Sequence, residues 1–143
     1  MTGQPFARHY VHAGMIGLDG EKMSKSLGNL VFVSQLISEG VSPMAIRWAL
    51  LNREYRQDAM WSDSILAQSI SSIDRLQLNL AKMEVAPTDG VITEIIKALS
   101  EDIDTERALR VVHNWMDDTE SGQSGGNAGE LSRALDTLLG LAL

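Results

Sequence analysis

The chain has 143 residues, a formal charge of −7, 44% hydrophobic and 22% charged residues, and no cysteine. That length suits one domain of about 100–150 residues or a piece of something larger, and the composition supports one apolar core, which excludes a disordered chain. The missing cysteines exclude disulfides, a thiolate nucleophile and cysteine-ligated zinc within these residues; no run nears the roughly 18 apolar residues of a membrane helix, and MTGQPFARHY is no signal peptide, so a cytoplasmic chain is expected.

In chain order, Tyr10 to Leu18 mixes β-branched, aromatic and glycine residues and runs into Asp19-Gly20, which predicts a short strand entering a loop. Glu21 to Asn29 has no apolar periodicity and reads as a loop; apart from Met23 and Leu27 nothing apolar could anchor it, so it is expected to order only on a ligand. Ser34 is placed as the cap of a short helix ending at Gly40. Ser42-Pro43 opens a second helix reaching about Tyr55. Trp61-Ser62-Asp63 begins a long helix in which Leu66, Ile70, Ile73, Leu76, Leu80 and Met83 recur at helical spacing as far as Pro87. Thr88 or Asp89 starts a helix with Ile92, Ile95, Ile96 and Leu99, and Asp104 caps one with Leu109, Val112 and Met116 on one face. The Gly/Ser-rich stretch from Ser121 to Gly129 reads as a mobile connector before a last helix bearing Leu131, Leu135 and Leu139. The whole is mainly α, a helical bundle preceded by a strand and a loop.

Charge divides the chain. Residues 1–60 hold six Lys/Arg against five acids, and residues 61–143 hold six against fourteen, balances of +1 and −8. Any site for a polyanion therefore belongs in the first part. There, Gly20 to Asn29 sets two lysines three apart among serines and glycines. Ammonium groups, hydroxyls and loop N–H donors in that arrangement can wrap a phosphate chain, although an anonymous Lys-x-x-Lys pair more often just faces water.

The full string is more specific than the pair. Lys22-Met23-Ser24-Lys25-Ser26 is the KMSKS signature, and the chain around it resembles the cysteine branch of the class I aminoacyl-tRNA synthetase family. His9 to Ile16 is similar to the strand lining the adenosine pocket of that family, and Ala49 to Arg56 to its stem-contact region. The resemblance covers effectively the whole chain. It implies that residues 1–31 are the C-terminal edge of a nucleotide-binding, Rossmann-like catalytic domain with its KMSKS loop, 32–60 stem-contact helices and 61–143 a helical bundle. It further implies that Ile16 meets the adenine through its backbone and that Lys22 and Lys25 are catalytic cations on the phosphates of Mg-bound ATP. Lys25 is the principal contact, and Met23, Ser24 and Ser26 complete the nucleotide-binding loop.

Within the branch, the runs beside the lysines and Trp61-Ser62-Asp63 look more like the cysteine ligases of mycothiol biosynthesis than like the cysteinyl-tRNA synthetases. The acidic balance of residues 61–143 also argues against a tRNA surface. The implied partners are ATP, cysteine and the amine of glucosaminyl-inositol. The family's HIGH-type motif and the cysteines of its substrate-selecting zinc site do not occur in this sequence. The expectation is therefore a C-terminal piece of a larger enzyme, inactive alone, with the zinc ligands and the rest of the catalytic domain elsewhere and Met1 not necessarily the natural start. A fragment of a cysteinyl-tRNA synthetase is the alternative. A non-catalytic helical docking module, in which the loop is a passenger, is a second.

The remaining candidates read as structural. His9 and His12 share a strand face but lack a third ligand, so no metal site is expected. His113 should pack within its helix, Trp48 and Trp61 should pack the stem against the long helix, and Asp117, Asp118 and Glu120 should form a solvated helix end.

Overall fold

The computed structural model describes residues 6–143, so Met1 lies outside the described residues. Three short strands, β1 (Ile16–Leu18), β2 (Glu21–Lys22) and β3 (Ala59–Trp61), accompany six helices: α1 (Val33–Ser38), α2 (Pro43–Leu51), α3 (Asp63–Leu80), α4 (Asp89–Ser100), α5 (Thr105–Glu120) and α6 (Ala128–Leu139). The mainly helical architecture is the one expected.

Where local chemistry sets a boundary, the sequence marks it. Ser42 accepts from the Met44 N–H with Pro43 at the first helical position, Ser62 accepts from Ile65 N–H, and Asp104 accepts from Arg107 N–H. Other boundaries differ from expectation. Helix α1 begins after Phe32, placing Ser34 inside it, and α2 stops at Leu51 rather than near Tyr55. Helix α3 stops at Leu80, whereas α4 starts at Asp89 as expected, with Thr88 at its N-cap position turning its hydroxyl to the Asn127 N–H. The strand expected over Tyr10–Leu18 is confined to Ile16–Leu18, because only those residues find a partner. That partner, β3, lies where no strand was expected: it pairs in parallel with β1, Ile16 opposite Ala59 and Leu18 opposite Trp61, giving the sheet order β2-β1-β3.

Two apolar clusters form, and α2 belongs to both. The larger joins Ala45 and Trp48 of α2 to Ile73 and Leu76 of α3, Ile95 of α4, Leu109, Val112 and Trp115 of α5, and Leu131 and Leu135 of α6. The smaller joins Ile46 and Ala49 of α2 to Trp61 and Leu66, and it seats the sheet and loop through Ile16, Leu18, Met23 and Val31. Trp48 and Trp61 thus pack the second helix and sheet against α3 as expected, while His113 meets the Trp48 ring edge-on at 5.3 Å.

The connectors are pinned. Trp115 Nε1 donates to Ala86 O at 3.0 Å, and Ala86 N–H donates to the buried Thr119 hydroxyl. The Gly/Ser-rich connector, expected to be mobile, is tied at its end: Gly126 N–H donates to Val85 O at 2.9 Å, and Asn127 caps α6. The acids expected as a solvated helix end take a partner. Arg75 of α3 donates to both carboxylate oxygens of Glu120 and to Asp117, and Asn79 adds a bond to Glu120 at 2.7 Å.

Arg75 first, then Asn79, holds the Glu120 carboxyl down to about 2 from an ordinary 4.5. A depressed carboxyl contributes stability that is complete above the unfolded value and is lost as pH falls through the folded one. The thermal unfolding temperature should therefore fall as pH is lowered from about 4.5 to about 2, and Glu120→Gln should flatten that dependence. Leu109→Ala, emptying a fully buried position, should cost about 2–5 kcal/mol in denaturant titration.

Candidate functional site

The site is built from β1 outward. Asp19 and Gly20 carry positive φ angles of 54° and 82°, the geometry of a two-residue hairpin turn in which glycine is favoured. The chain folds straight back, so Gly17 faces Lys22 and Leu18 faces Glu21. This corrects the expected loop at its start, since Glu21 and Lys22 are strand residues. Met23 then turns inward onto the smaller apolar cluster and anchors the segment, whereas Leu27 stays 59% exposed.

From Ser24 the chain closes on itself. Asn29 clasps it: its Oδ1 accepts from Ser24 N–H at 2.9 Å and its Nδ2 donates to Lys22 O at 3.3 Å, one carboxamide bridging both sides of Met23. Ser24 Oγ accepts from Leu27 N–H and lies 3.2 Å from Ser26 Oγ, and Gly28 N–H donates to Lys25 O. The segment expected to lack internal order therefore has a defined set of bonds. Both lysines project from it into solvent, and neither ammonium has a hydrogen-bond or ion-pair partner among the described residues.

Ile16 and Met23 come together at the wall of an apolar slot of about 160 Å³, completed by Val31, Val33, Leu36, Ile46, Leu50 and Trp61. Ser24, Lys25 and Ser26 lie outside its lining, Ser24 partly buried and Lys25 and Ser26 on the exposed rim of the loop. Ile16 is held in register from behind. Met15 N–H donates to Asp58 Oδ1 at 2.6 Å, Ala59 N–H to Met15 O at 2.9 Å, and Gly14 N–H to Tyr55 O at 2.7 Å. Gly14 sits so close to the Gln57 backbone that a Cβ would fall 2.0 Å from the Gln57 carbonyl oxygen. Sequence reasoning missed Asn29 and Asp58. The signal available for Asn29 was its residue type, since asparagine readily bonds nearby backbone at turns.

His9 and His12 are exposed, and no group of three or more His, Asp or Glu able to hold a metal occurs among the described residues. His113, half-buried against Trp48, has its pKa lowered, by burial first and then by the Arg75 charge. The residues present therefore do not fit the zinc site that the resemblance implies for the larger enzyme.

Residues 1–71 match the family model described as tRNA synthetases class I (C) catalytic domain. A ligase of Streptomyces griseus, L-cysteine:1D-myo-inositol 2-amino-2-deoxy-alpha-D-glucopyranoside ligase, is 47% identical over 146 aligned residues, which take in 100% of this chain and 36% of that protein. The ligase of the same name from Nocardia farcinica is 43% identical over 100% of this chain and 35% of its own length. The chain thus spans about a third of the length of the curated relatives it matches. Among solved structures, a LeuRS of Agrobacterium radiobacter in a ternary complex with tRNA and LeuAMS superposes with a TM-score of 0.68 over 91% of this chain and 20% of that one. At 22% identity that likeness concerns the fold.

Asn29→Ala removes both bonds of the clasp while leaving the lysines in place. Amide exchange at Ser24 should accelerate by about 5-fold for the loss of one such hydrogen bond, with Leu109 and Val112 unchanged.

Proposed function

Because this chain belongs to the class I aminoacyl-tRNA synthetase family, in the branch of the mycothiol cysteine ligases, we propose that it is the part of a cysteine ligase that closes on the triphosphate of ATP. In this reading the full-length enzyme joins cysteine to the amine of glucosaminyl-inositol. The observation that carries it is the pair of unpartnered ammonium groups on a loop clasped by Asn29 and continuous with the strand of Ile16. Residues 1–31 then belong to the catalytic domain, 32–60 join it to the bundle, and 61–143 are the bundle.

The reaction has two steps. A cysteine carboxylate oxygen attacks the α-phosphorus, the bond to the β-phosphate oxygen breaks, and pyrophosphate leaves with its electron pair. An amine nitrogen then attacks the carbonyl of the cysteinyl-adenylate, loses a proton, and expels AMP. Negative charge grows on the departing pyrophosphate during the first step, so cations that meet it there stabilise the transition state more than the ground state. Lys25, on the exposed turn, supplies the main contact, with Lys22 beside it on β2. Ser24 and Ser26 offer neutral donors, Met23 keeps the loop seated, and Ile16 presents backbone to the adenine. A zinc ion selecting cysteine would draw its ligands from outside these residues, which contain no cysteine.

The name of the matching family model favours one alternative, a cysteinyl-tRNA synthetase with tRNA as acceptor. Fourteen acids against six Lys/Arg in residues 61–143 weigh against it, since such a surface repels a phosphate backbone. Cysteine-dependent AMP release by the full-length enzyme decides the acceptor: turnover with glucosaminyl-inositol alone supports the ligase reading, and turnover with cysteine tRNA alone overturns it. Lys25→Ala in that enzyme should lower cysteine-dependent ATP–pyrophosphate exchange by about 10²–10³ without shifting thermal unfolding. The 143-residue chain by itself should show no such exchange, because the HIGH-type motif and the cysteine thiolates are absent from its sequence.

A further inference from the structure

The corner between α4 and α5 is bent in an unusual way. Asp102 and Ile103 both have φ of 59°, a left-handed conformation that a β-branched residue takes only where its surroundings hold it. The bend delivers the Asp102 carboxylate to the segment between α2 and β3. Arg56 reaches it through two bonds, Nε to Oδ2 at 2.7 Å and Nη2 to Oδ1 at 2.8 Å, and the Tyr55 hydroxyl donates to Oδ1 at 3.0 Å. Two residues on, the buried Thr105 hydroxyl bonds Leu51 O at 2.7 Å and reaches Arg53 O at 3.3 Å. One corner of the bundle therefore grips residues 51–56 by both backbone and side chain.

An exposed ion pair alone contributes little. This one differs in being bidentate, joined by a third donor, and set on a strained turn. It also acts on a segment with a task. Tyr55 O receives the Gly14 N–H, Asp58 the Met15 N–H, and Gly14 lies against the Gln57 backbone, so the segment fixes the residues that lead into Ile16.

We propose that Asp102 is a positioning residue for the nucleotide-binding strand: through Tyr55 and Arg56 it holds Gly14 and Met15 in the register that presents Ile16 to the adenine. This rests on the ATP-binding reading above. Asp102 touches no substrate, and its effect falls on the ground-state fit of the nucleotide rather than on the phosphate chemistry of the lysines.

The test uses the full-length enzyme with Asp102→Ala, Asp102→Asn and, as a milder cut that removes only the hydroxyl, Tyr55→Phe. Three quantities are read: amide exchange over residues 10–18, the KM for ATP and kcat of cysteine-dependent pyrophosphate exchange, and the Tm. In Asp102→Ala the Gly14 and Met15 amides should exchange about 5-fold faster and the KM for ATP should rise about 5-fold, the loss of roughly one hydrogen bond at each. The kcat and the KM for cysteine should stay within about twofold. Asp102→Asn, which keeps one acceptor oxygen but sets an amide donor against the Arg56 Nε–H, should recover only part of the loss, and Tyr55→Phe should fall between wild type and Asp102→Ala. Unchanged protection at Gly14 and Met15, or a lowered Tm with an unaltered KM for ATP, would overturn the proposal. If wild-type enzyme shows no cysteine-dependent exchange of pyrophosphate, the ATP reading fails instead, and the amide exchange alone decides whether Asp102 positions this strand.

Discussion

Everything about the site depends on α2 being buried on two sides. Ala45 and Trp48 point into the bundle while Ile46 and Ala49 point into the small cluster beneath the sheet, pairs three apart and offset by one residue, hence by about 100° around the helix. A nine-residue helix with a single apolar stripe would leave either the bundle or the sheet without support. Because neither face can be withdrawn without opening a core, α2 couples the strand carrying Ile16 to the bundle behind it. Arg47, on the same helix, donates Nε to Leu139 O at 2.5 Å and so ties the end of α6 to this element.

Polar groups then decide how the layers meet. Thr105, Thr119, Asn79 and the Trp115 indole are buried, and each spends its hydrogen bond on a neighbouring element or connector rather than within its own turn alone. Such bonds add little net stability when made, but a lost partner leaves a desolvated group behind, so they specify one arrangement against near alternatives. The loop follows the same rule at smaller scale, since one asparagine carboxamide satisfies a donor and an acceptor that would otherwise rely on water.

Legibility in the sequence tracks how local the cause is. Ser42-Pro43, Ser62 and Asp104 announce their helices because a cap acts within three residues. Strand β3 was hidden because Ala59-Met60-Trp61 is too short for any period and becomes a strand only by meeting β1, over forty residues earlier. Asn127, at the end of a Gly/Ser run, looked like part of a flexible connector, and its capping role depends on helix α6 being present to donate the Glu130 N–H to its side-chain oxygen. The lysines of the loop were legible from the string itself. What holds them was not: Asn29, Asp58 and the Asp102 corner act through folded geometry, in the last case across more than forty residues.

Lys22 and Lys25 look equivalent as letters but differ in what it takes to immobilise them. Lys22 stands on a strand rung, its backbone already fixed opposite Gly17, so a ligand that recruits it removes only side-chain rotamer freedom, about 1.5–2 kcal/mol for a lysine. Lys25 rides a turn fastened by a few exposed bonds, and recruiting it also quiets backbone torsions. Were the loop to close on an anion as proposed, the entropy of doing so would be unevenly shared: one charge would stand ready like a fixed jaw, and the other would be the moving one, able to follow a group that changes position and to let it go.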